Sequence, residues 1–456
     1  MKNIINHTYN NYIMLIIKRN SSRILSLWLL IIGLLPGTQL QAQENLSLSD
    51  AIRIGLRNNY NITVQKNKEK IAGINNTWGN TSIMPTLTLN VTGQDLKNNN
   101  DTEDYNSVTF TPLLSLNWTV FDGFSAKITK QTYEKLQEES ENNTALLVEE
   151  TIENIILAYN SSLVQKELMN VYKDMSDLSK DLMNRADVSK EIGASTSFEY
   201  LQYKTSYLND YSFYLKQKVV YENSLRSLNY LLADNNNTMR NLTTELIADT
   251  TYYVFSDLQS QMNSNNENLK LQYLNQKILS LNIELAKSNL YPTVSLNAGG
   301  RNNYLNKDFN GNSQTINTNT NDLYAGFTAS WNLFSGGIVK RAIQIAKINK
   351  QSSDVEIDDM KHSLDNKLLQ LISSYDVNKS IYNLTQEQIK SAKLNLNISG
   401  DKYKSGAINS FDYRAVQLTY LNAVVSNLES VYDLIESNVN ILKITGNIVG
   451  LKENNE

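Results

Sequence analysis

Two halves of this 456-residue chain repeat one another at a nearly constant displacement. Ser49-Asp50, Asn58-Asn59 and Asn61 return 207 residues later as Ser256-Asp257, Asn265-Asn266 and Asn268, and Pro85-Thr86 returns as Pro292-Thr293 at the same displacement. Trp118, Phe121 and Gly123 return as Trp331, Phe334 and Gly336, now 213 residues on, and Gly193-Ala194 and Ser197-Phe198 return as Gly406-Ala407 and Ser410-Phe411, again at 213. Six residues are therefore inserted between the proline and tryptophan landmarks of the second half. A unit this long is a duplicated half-protein, not a solenoid of short repeats.

The amino-terminal residues read as an export signal. Lys18, Arg19 and Arg23 precede the apolar run Ile24 to Leu35, which ends at Pro36-Gly37 and a polar stretch reaching Gln41-Ala42-Gln43. The run has 12 residues, short of the roughly 20 that span a bilayer as a helix, so it predicts a secretory signal peptide over 1–42, cut near Ala42. Of the chain's 42 basic and 46 acidic residues, this segment holds four basic and none acidic, so the remainder carries 38 and 46, a net of −8. Mild acidity without a basic block argues against a nucleic-acid partner. With no cysteine, disulfides, thiolate metal sites and a cysteine-linked lipid anchor are excluded. His362 is the one histidine beyond the signal, which excludes a His-dependent triad, and no P-loop run is present. No cofactor is expected and no enzyme chemistry suggests itself.

Glycine and proline punctuate the rest. Between Gly123 and Gly299 the sole glycine is Gly193, and no proline lies between Leu113 and Tyr291. Ser125 to Glu191 thus reads as one helix of 67 residues, about 100 Å long at 1.5 Å per residue. Val164, Leu168, Val171, Met175, Leu178 and Leu182 step alternately by four and three, the 3.5-residue period of a coiled-coil seam. Leu364, Leu368, Leu371 and Tyr375 do the same in the second half, where Gly400 interrupts the segment once before Gly406. Asp122 and Ser335 are the expected N-caps of the two long helices.

Between a short opening helix and the long one, each half changes period from 3.6 to 2. Leu87, Leu89 and Val91 alternate with Thr and Asn, as do Val108, Phe110, Leu114, Leu116, Trp118 and Val120. The second half repeats this with Val294, Leu296 and Ala298, then Ala325, Phe327, Ala329, Trp331 and Leu333. Each half therefore supplies two strands with one apolar and one polar face, led in by Pro85 or Pro292. Their Asn-rich connections read as hairpin tips, the second holding most of the added length. Such strands suit a membrane barrel or a small soluble sheet packed on helices. Four strands fall short of the roughly eight that close the smallest barrel, and an open edge in lipid leaves backbone groups unsatisfied. A membrane reading therefore requires several copies of the chain.

These residues together resemble the TolC-like outer membrane efflux proteins, from Leu46 to about Gly446. The resemblance rests on the duplicated order of elements, on SDAIRIGLRNNYNI, on the proline-led strands, on NWTVFDG and SWNLFSGG where strand turns to helix, and on YKSGAINSFDYRAVQ. It implies a mainly α protein with membrane β, in which three chains give twelve strands to one outer-membrane barrel and their duplicated long helices continue as a periplasmic coiled-coil tunnel. The divisions expected are the signal 1–42, a first repeat 43–232, an inter-repeat segment 233–255, a second repeat 256–446 and a tail 447–456.

The resemblance also implies partners: a homotrimer in outer-membrane lipid, a periplasmic adaptor (membrane fusion) protein, and an inner-membrane transporter of RND or ABC type that supplies the energy for a passive conduit. The turns Gly193, Ala194, Ser195, Thr196 and Gly406, Ala407, Ile408, Asn409 become the adaptor-contact tip, although glycines there also serve simply to end helices. Asp412, with its counterpart Glu199, falls where an acidic ring faces the tunnel entrance. The other reading of both is a solvated acid in a first helical turn. A second acid found in some relatives is replaced here by Ala415 and Gln202. Trp118 and Trp331 suit a membrane-interface belt, or packing where strands meet helices. The rival class is a secreted or periplasmic coiled-coil scaffold or adhesin, which leaves the four amphipathic strands without a role.

Overall fold

A computed structural model describes residues 44–99, 104–193, 196–235, 238–309 and 315–452. The predicted signal peptide, Ala194 and Ser195 lie outside these. The chain divides into two compact units. Among the described residues of the small one, Glu44 and Asn45 of strand β1 (Glu44–Leu46) and Arg240 and Asn241 of strand β4 (Arg240–Leu242) are extended, and the Asn241 amide donates to Asn45 Oδ1 at 3.0 Å.

The large unit, Leu46–Thr238 with Leu242–Glu456, holds both repeats. The first runs α1 (Leu48–Asn58), α2 (Tyr60–Asn75), β2 (Thr86–Asn98), β3 (Tyr105–Phe121), α3 (Ser125–Glu191) and α4 (Ser197–Leu231). The second runs α5 (Phe255–Asn265), α6 (Glu267–Ser288), β5 (Thr293–Phe309), β6 (Thr315–Ser330), α7 (Ile338–Lys404) and α8 (Ser410–Ile444). Both ends of α1 recur in α5 at 207, and both ends of α3 and α4 recur in α7 and α8 at 213. The six inserted residues lengthen the β5–β6 ladder, not its loop. Asparagine side chains are compatible with an extended backbone that keeps its ladder bonds, so much of the expected hairpin tip is strand.

The 67-residue α3 has the bounds expected from the missing glycine and proline. Its seam residues Val164, Met175 and Leu182 are buried, with Leu168, Val171 and Leu178 half-buried, as α4 packs back along it. The second seam faces inward in the same way, with Leu368 and Tyr375 fully buried against α8 and the inter-repeat segment. Gly400 does not interrupt α7. Its missing Cβ leaves room for the Tyr413 ring, which stacks on Tyr403 at 5.2 Å between centroids. The two predicted N-caps are corrected: the cap residues are Phe124 and Gly337, both left-handed at φ 70° and 78°. The tight turn moves the helix start two residues on, and Asp122 reaches forward to accept from the Ala126 N–H at 2.7 Å. The Ser335 carbonyl accepts from the Ile338 N–H at 3.2 Å.

The largest apolar core gathers Ile155, Tyr159, Leu228, Met262, Leu368 and Leu434 from both repeats. The Tyr159 hydroxyl donates to the Leu46 carbonyl at 2.8 Å, and the Tyr375 hydroxyl to the Thr251 carbonyl at 2.6 Å, so two buried phenols anchor irregular chain to long helices. Residues 249–253 of the inter-repeat segment are held on α7 in this way, with Lys379 Nζ donating to the Thr250 carbonyl at 2.6 Å.

On α3, Glu149 is buried where α6 and α8 meet it. Burial and then the nearby Glu267 carboxylate push its pKa up to about 7, against the pull of Lys270 and Lys443. The folded chain thus favours the neutral form, so the contribution to stability is complete below the unfolded value of 4.5 and is lost as pH rises through 7. Glu149→Gln, permanently neutral, is expected to raise the thermal midpoint at pH 8 and to leave it unchanged at pH 4. Circular dichroism melts at the two pH values check this; an equal shift at both would refute the burial argument.

Candidate channel wall and helical tip

The four long strands form one antiparallel sheet in the order β2-β3-β5-β6. Directly paired residues share a face, so the register assigns every side chain to one of two sides. Leu89, Leu114, Gly300 and Leu323 make one row; Leu87, Leu116, Ala298 and Ala325 make the next; Trp118, Leu296 and Phe327 follow. This apolar face is exposed, with Leu87 at 68%, Leu323 at 91% and Phe327 at 73%. A soluble chain does not leave such a surface bare. From Trp118 to Val108 it runs about 33 Å along β3, or roughly 25 Å once strands tilt as in membrane barrels. On the β5–β6 hairpin it stops sooner, where Asn302 donates to Asn319 and Asn321 at 2.6 and 2.7 Å.

The opposite face is Thr, Ser and Asn with few charges. Arg301 and Asp322, directly paired across β5 and β6, form an ion pair at 2.7 Å. Towards the hairpin ends, Lys307 lies over the Tyr105 ring at 3.7 Å and the Phe309 ring at 4.5 Å. Gly299 and Gly300 each underlie the residue paired with them or beside it: a Cβ on Gly299 would meet the Tyr324 ring at 2.6 Å from its oxygen, and one on Gly300 would meet Leu323 at 2.9 Å. Tyr324 therefore lies along the polar wall. Pro112, in the interior strand β3, has no N–H to give, and the β3–β5 register lapses beside it, where Thr111 donates to Asn303 Oδ1 at 2.8 Å. The outer edges of β2 and β6 are unpaired within the chain.

The predicted interface tryptophans occupy equivalent places. Trp118 Nε1 donates to the Ile83 carbonyl and Trp331 Nε1 to the Leu290 carbonyl, each at 3.0 Å, and each acceptor stands two residues before the strand-leading proline. Both indoles stay largely exposed. Trp331 and Leu333, expected within the strand, lie just past the end of β6 at Ser330.

At the far ends of the long helices the two predicted turns come together. Gly193 and Gly406 are left-handed, with φ 72° and 76°, and both are open to solvent. Thr196 and Asn409 have a definite local task as N-caps. Thr196 Oγ1 accepts from the Glu199 N–H at 3.2 Å, and Asn409 Oδ1 from the Phe411 and Asp412 N–H groups at 2.9 Å. Ile408 is half-buried against Tyr203 and Tyr413, and Ala407 is exposed. The exposed Phe198 and Phe411, equivalent residues of the two repeats, touch at 6.0 Å between centroids. The two candidate acids differ: Glu199 accepts from the Tyr403 hydroxyl at 3.4 Å, whereas Asp412 is exposed in the first turn of α8. Burial raises the pKa of the Tyr203 and Tyr403 phenols, keeping both neutral, and Tyr403 the donor to Glu199.

A few turns from the tip lies a cluster with no sequence signature, since its members are scattered over more than two hundred residues. Arg414 on α8 grips Asp210 on α4 with two bonds, Nη1 to Oδ2 at 2.8 Å and Nη2 to Oδ1 at 2.6 Å, and the Ser179 hydroxyl of α3 also donates to Asp210. Gln417 accepts from Arg414 at 3.3 Å. Three helices from both repeats are thus tied at one buried carboxylate. Among the described residues there is no grouping of acids and histidine able to hold a metal ion, and no helix long and apolar enough to cross a membrane.

An amphipathic four-stranded sheet with two free edges, joined to paired helices of 67 residues, defines a subunit of a membrane β-barrel with a helical extension. Residues 258–447 match the family model described as outer membrane efflux protein. Among solved structures, the Campylobacter jejuni CmeC outer membrane channel is similar at 18% identity and TM-score 0.70, covering 88% of this chain and 85% of that one. The Vibrio cholerae outer membrane protein VceC is similar at 13% and 0.67, covering 88% and 96%. The open state of the Neisseria gonorrhoeae MtrE outer membrane channel is similar at 14% and 0.69, covering 88% of each. No curated protein sequence matches. Residues 258–447 are thus similar to the outer membrane efflux protein family, and the chain shares the fold of these outer membrane channels.

Breaking one side of a buried ion pair costs about 3 kcal/mol or more, while replacing both sides with apolar groups costs far less. Asp210→Ala is therefore expected to lower unfolding stability by about that amount, and Asp210→Leu combined with Arg414→Leu by clearly less. Urea denaturation of the three proteins checks it; equal losses would mean the pair is merely a surface contact.

Proposed function

We propose that this protein is the outer-membrane duct of an efflux or type I secretion machine, a passive conduit for solutes delivered by an inner-membrane transporter of RND or ABC type. The observation that carries the reading is the sheet itself, amphipathic, exposed on its apolar face and open at both edges. In lipid each unpaired backbone group costs several kcal/mol, so β2 of one copy pairs with β6 of another until the barrel closes. Three copies give twelve strands, within the range of natural barrels. The polar faces then line the lumen and the helices carry it into the periplasm.

A periplasmic adaptor contacts the tip at Gly193–Thr196 and Gly406–Asn409, next to the exposed Phe198 and Phe411. Asp412, exposed in every copy, together with Glu199 gives the entrance a negative ring that favours cations. Trp118 and Trp331 sit at the periplasmic interface of the bilayer, with indole N–H groups satisfied and ring faces free.

Native mass spectrometry of the detergent-extracted protein is expected to give a discrete trimer, and a detergent-independent monomer would favour a helical scaffold instead. In planar bilayers under a salt gradient, Asp412→Asn with Glu199→Gln is expected to move the reversal potential toward zero. An unchanged potential would remove the acidic ring while leaving the channel.

A further inference from the structure

The two faces of the sheet keep their sides along its whole length, but their chemistry changes places near the hairpin ends. The shift of register in β3 lies between Thr119 and Phe121, beside the helices, and from Trp118 to Tyr105 the pairing keeps one register, as it does for β2 and β6. A side chain on the polar face at mid-height therefore shares its side with those of the same parity at the hairpin ends. There the row Leu96, Ser107, Lys307 and Ile316 succeeds the rows of Thr, Asn and the Arg301–Asp322 pair. Leu305 stands one row before it, and Tyr105 and Phe309 one row after. On the other face, where Leu and Phe prevail lower down, the same levels carry Asp95 and Asn306, then Lys97 and Asp308.

The exchange marks the level at which the sheet leaves hydrocarbon. Beyond it the outer face meets water and is polar, and an antiparallel sheet in water packs its apolar face against something. Within the chain that face is only partly covered. Leu96 is 44% and Ile316 48% exposed. Tyr105 and Phe309 touch at 6.0 Å between centroids, and the Lys307 ammonium lies over both rings, its stem along the apolar surface.

We propose that Leu96, Tyr105, Leu305, Phe309 and Ile316 form an apolar collar inside the outward mouth of the barrel, covered across the lumen by the same face of the other copies. The collar bars ions and hydrophilic solutes from outside and passes apolar and amphipathic cargo. This rests on the reading of the chain as a barrel subunit. The helices join the strands at Thr86, Phe121, Thr293 and Ser330, so the hairpin ends are the ends away from the periplasm. Side chains just fill a barrel of about eight strands, so twelve leave a bore that threonines and asparagines do not close. Large apolar side chains from all four strands narrow it at one level. Water and ions find no bonding partners in such a constriction, which gates by dewetting. The wall below, with its hydroxyls, amides and the Arg301–Asp322 pair, presents no such barrier.

The chain has no cysteine, so single introduced thiols report access cleanly. Lys97→Cys lies on the face that looks out of the barrel, whereas Thr92→Cys on β2 and Thr320→Cys on β6 lie on the lumen face below the collar. Intact cells are treated with a charged maleimide too large for general diffusion pores, and labelling is followed in time. Lys97→Cys is expected to label fast and both lumen thiols about tenfold more slowly, as a dewetted constriction slows a hydrated ion. Adding Leu96→Ser, Phe309→Ser and Ile316→Ser is expected to bring the lumen thiols up to the Lys97→Cys rate. Tyr105→Ser with Leu305→Ser removes apolar surface from the same level, so a triple variant that fails to assemble leaves this pair to decide. Lumen thiols that label as fast as Lys97→Cys under the native collar, or stay slow once it is polar, would overturn the collar and keep the barrel. Labelling of Lys97→Cys only after lysis would overturn both.

Discussion

A strand in hydrocarbon has no water to bond to, and this requirement governs the whole molecule. Each chain satisfies the interior of a four-stranded sheet and leaves the outer edges of β2 and β6 unpaired. Those edges have to be filled from outside the chain. The same constraint explains why Pro112 lies where a side-chain bond from Thr111 spans the lapse in the ladder, and why six added residues lengthen paired strand instead of loop. Above the strands the physics changes. Long helices bond their own backbones, and only their apolar seams require neighbours.

Much of this was legible in the residues because the relevant patterns are local. The bounds of α3 followed from the absence of glycine and proline between Gly123 and Gly193, and the seam from the alternating steps between Val164 and Leu182. The faces of the strands followed from simple alternation. What escaped was whatever depends on three dimensions. Asp122 and Ser335 have cap chemistry, but the left-handed turns at Phe124 and Gly337 place the helix start beyond them. The Arg414–Asp210–Ser179 cluster joins residues with no sequential relation. The close approaches at the consecutive glycines 299 and 300, to Tyr324 and Leu323, appear only with the register. At the tip, Thr196 and Asn409 read in sequence as part of an adaptor contact, and neither their roles as caps nor the contact between Phe198 and Phe411 was foreseen.

Duplication also separates what a position must do from what a residue happens to be. Trp118 and Trp331 make the same bond to equivalent carbonyls, although one is in a strand and the other is past its end. Glu199 and Asp412 share a cap geometry but not a partner, since Tyr403 donates to Glu199 while Asp412 is exposed. The Arg414 clamp has no second copy at all: the residues equivalent to its members are Leu201, Ala423 and Ala392. Geometry was retained across the repeats while charge was free to drift.

The pairing of Gly299 with Tyr324 has a consequence for the relief of the polar face. A tyrosine standing out from a strand narrows the space in front of it by the length of a phenol, about 6 Å. Here the ring lies in the depression left by a missing Cβ, so this tyrosine adds little to the height of the polar face. One absent side chain thereby keeps the polar face low at Tyr324, through a residue that adds nothing to that face itself.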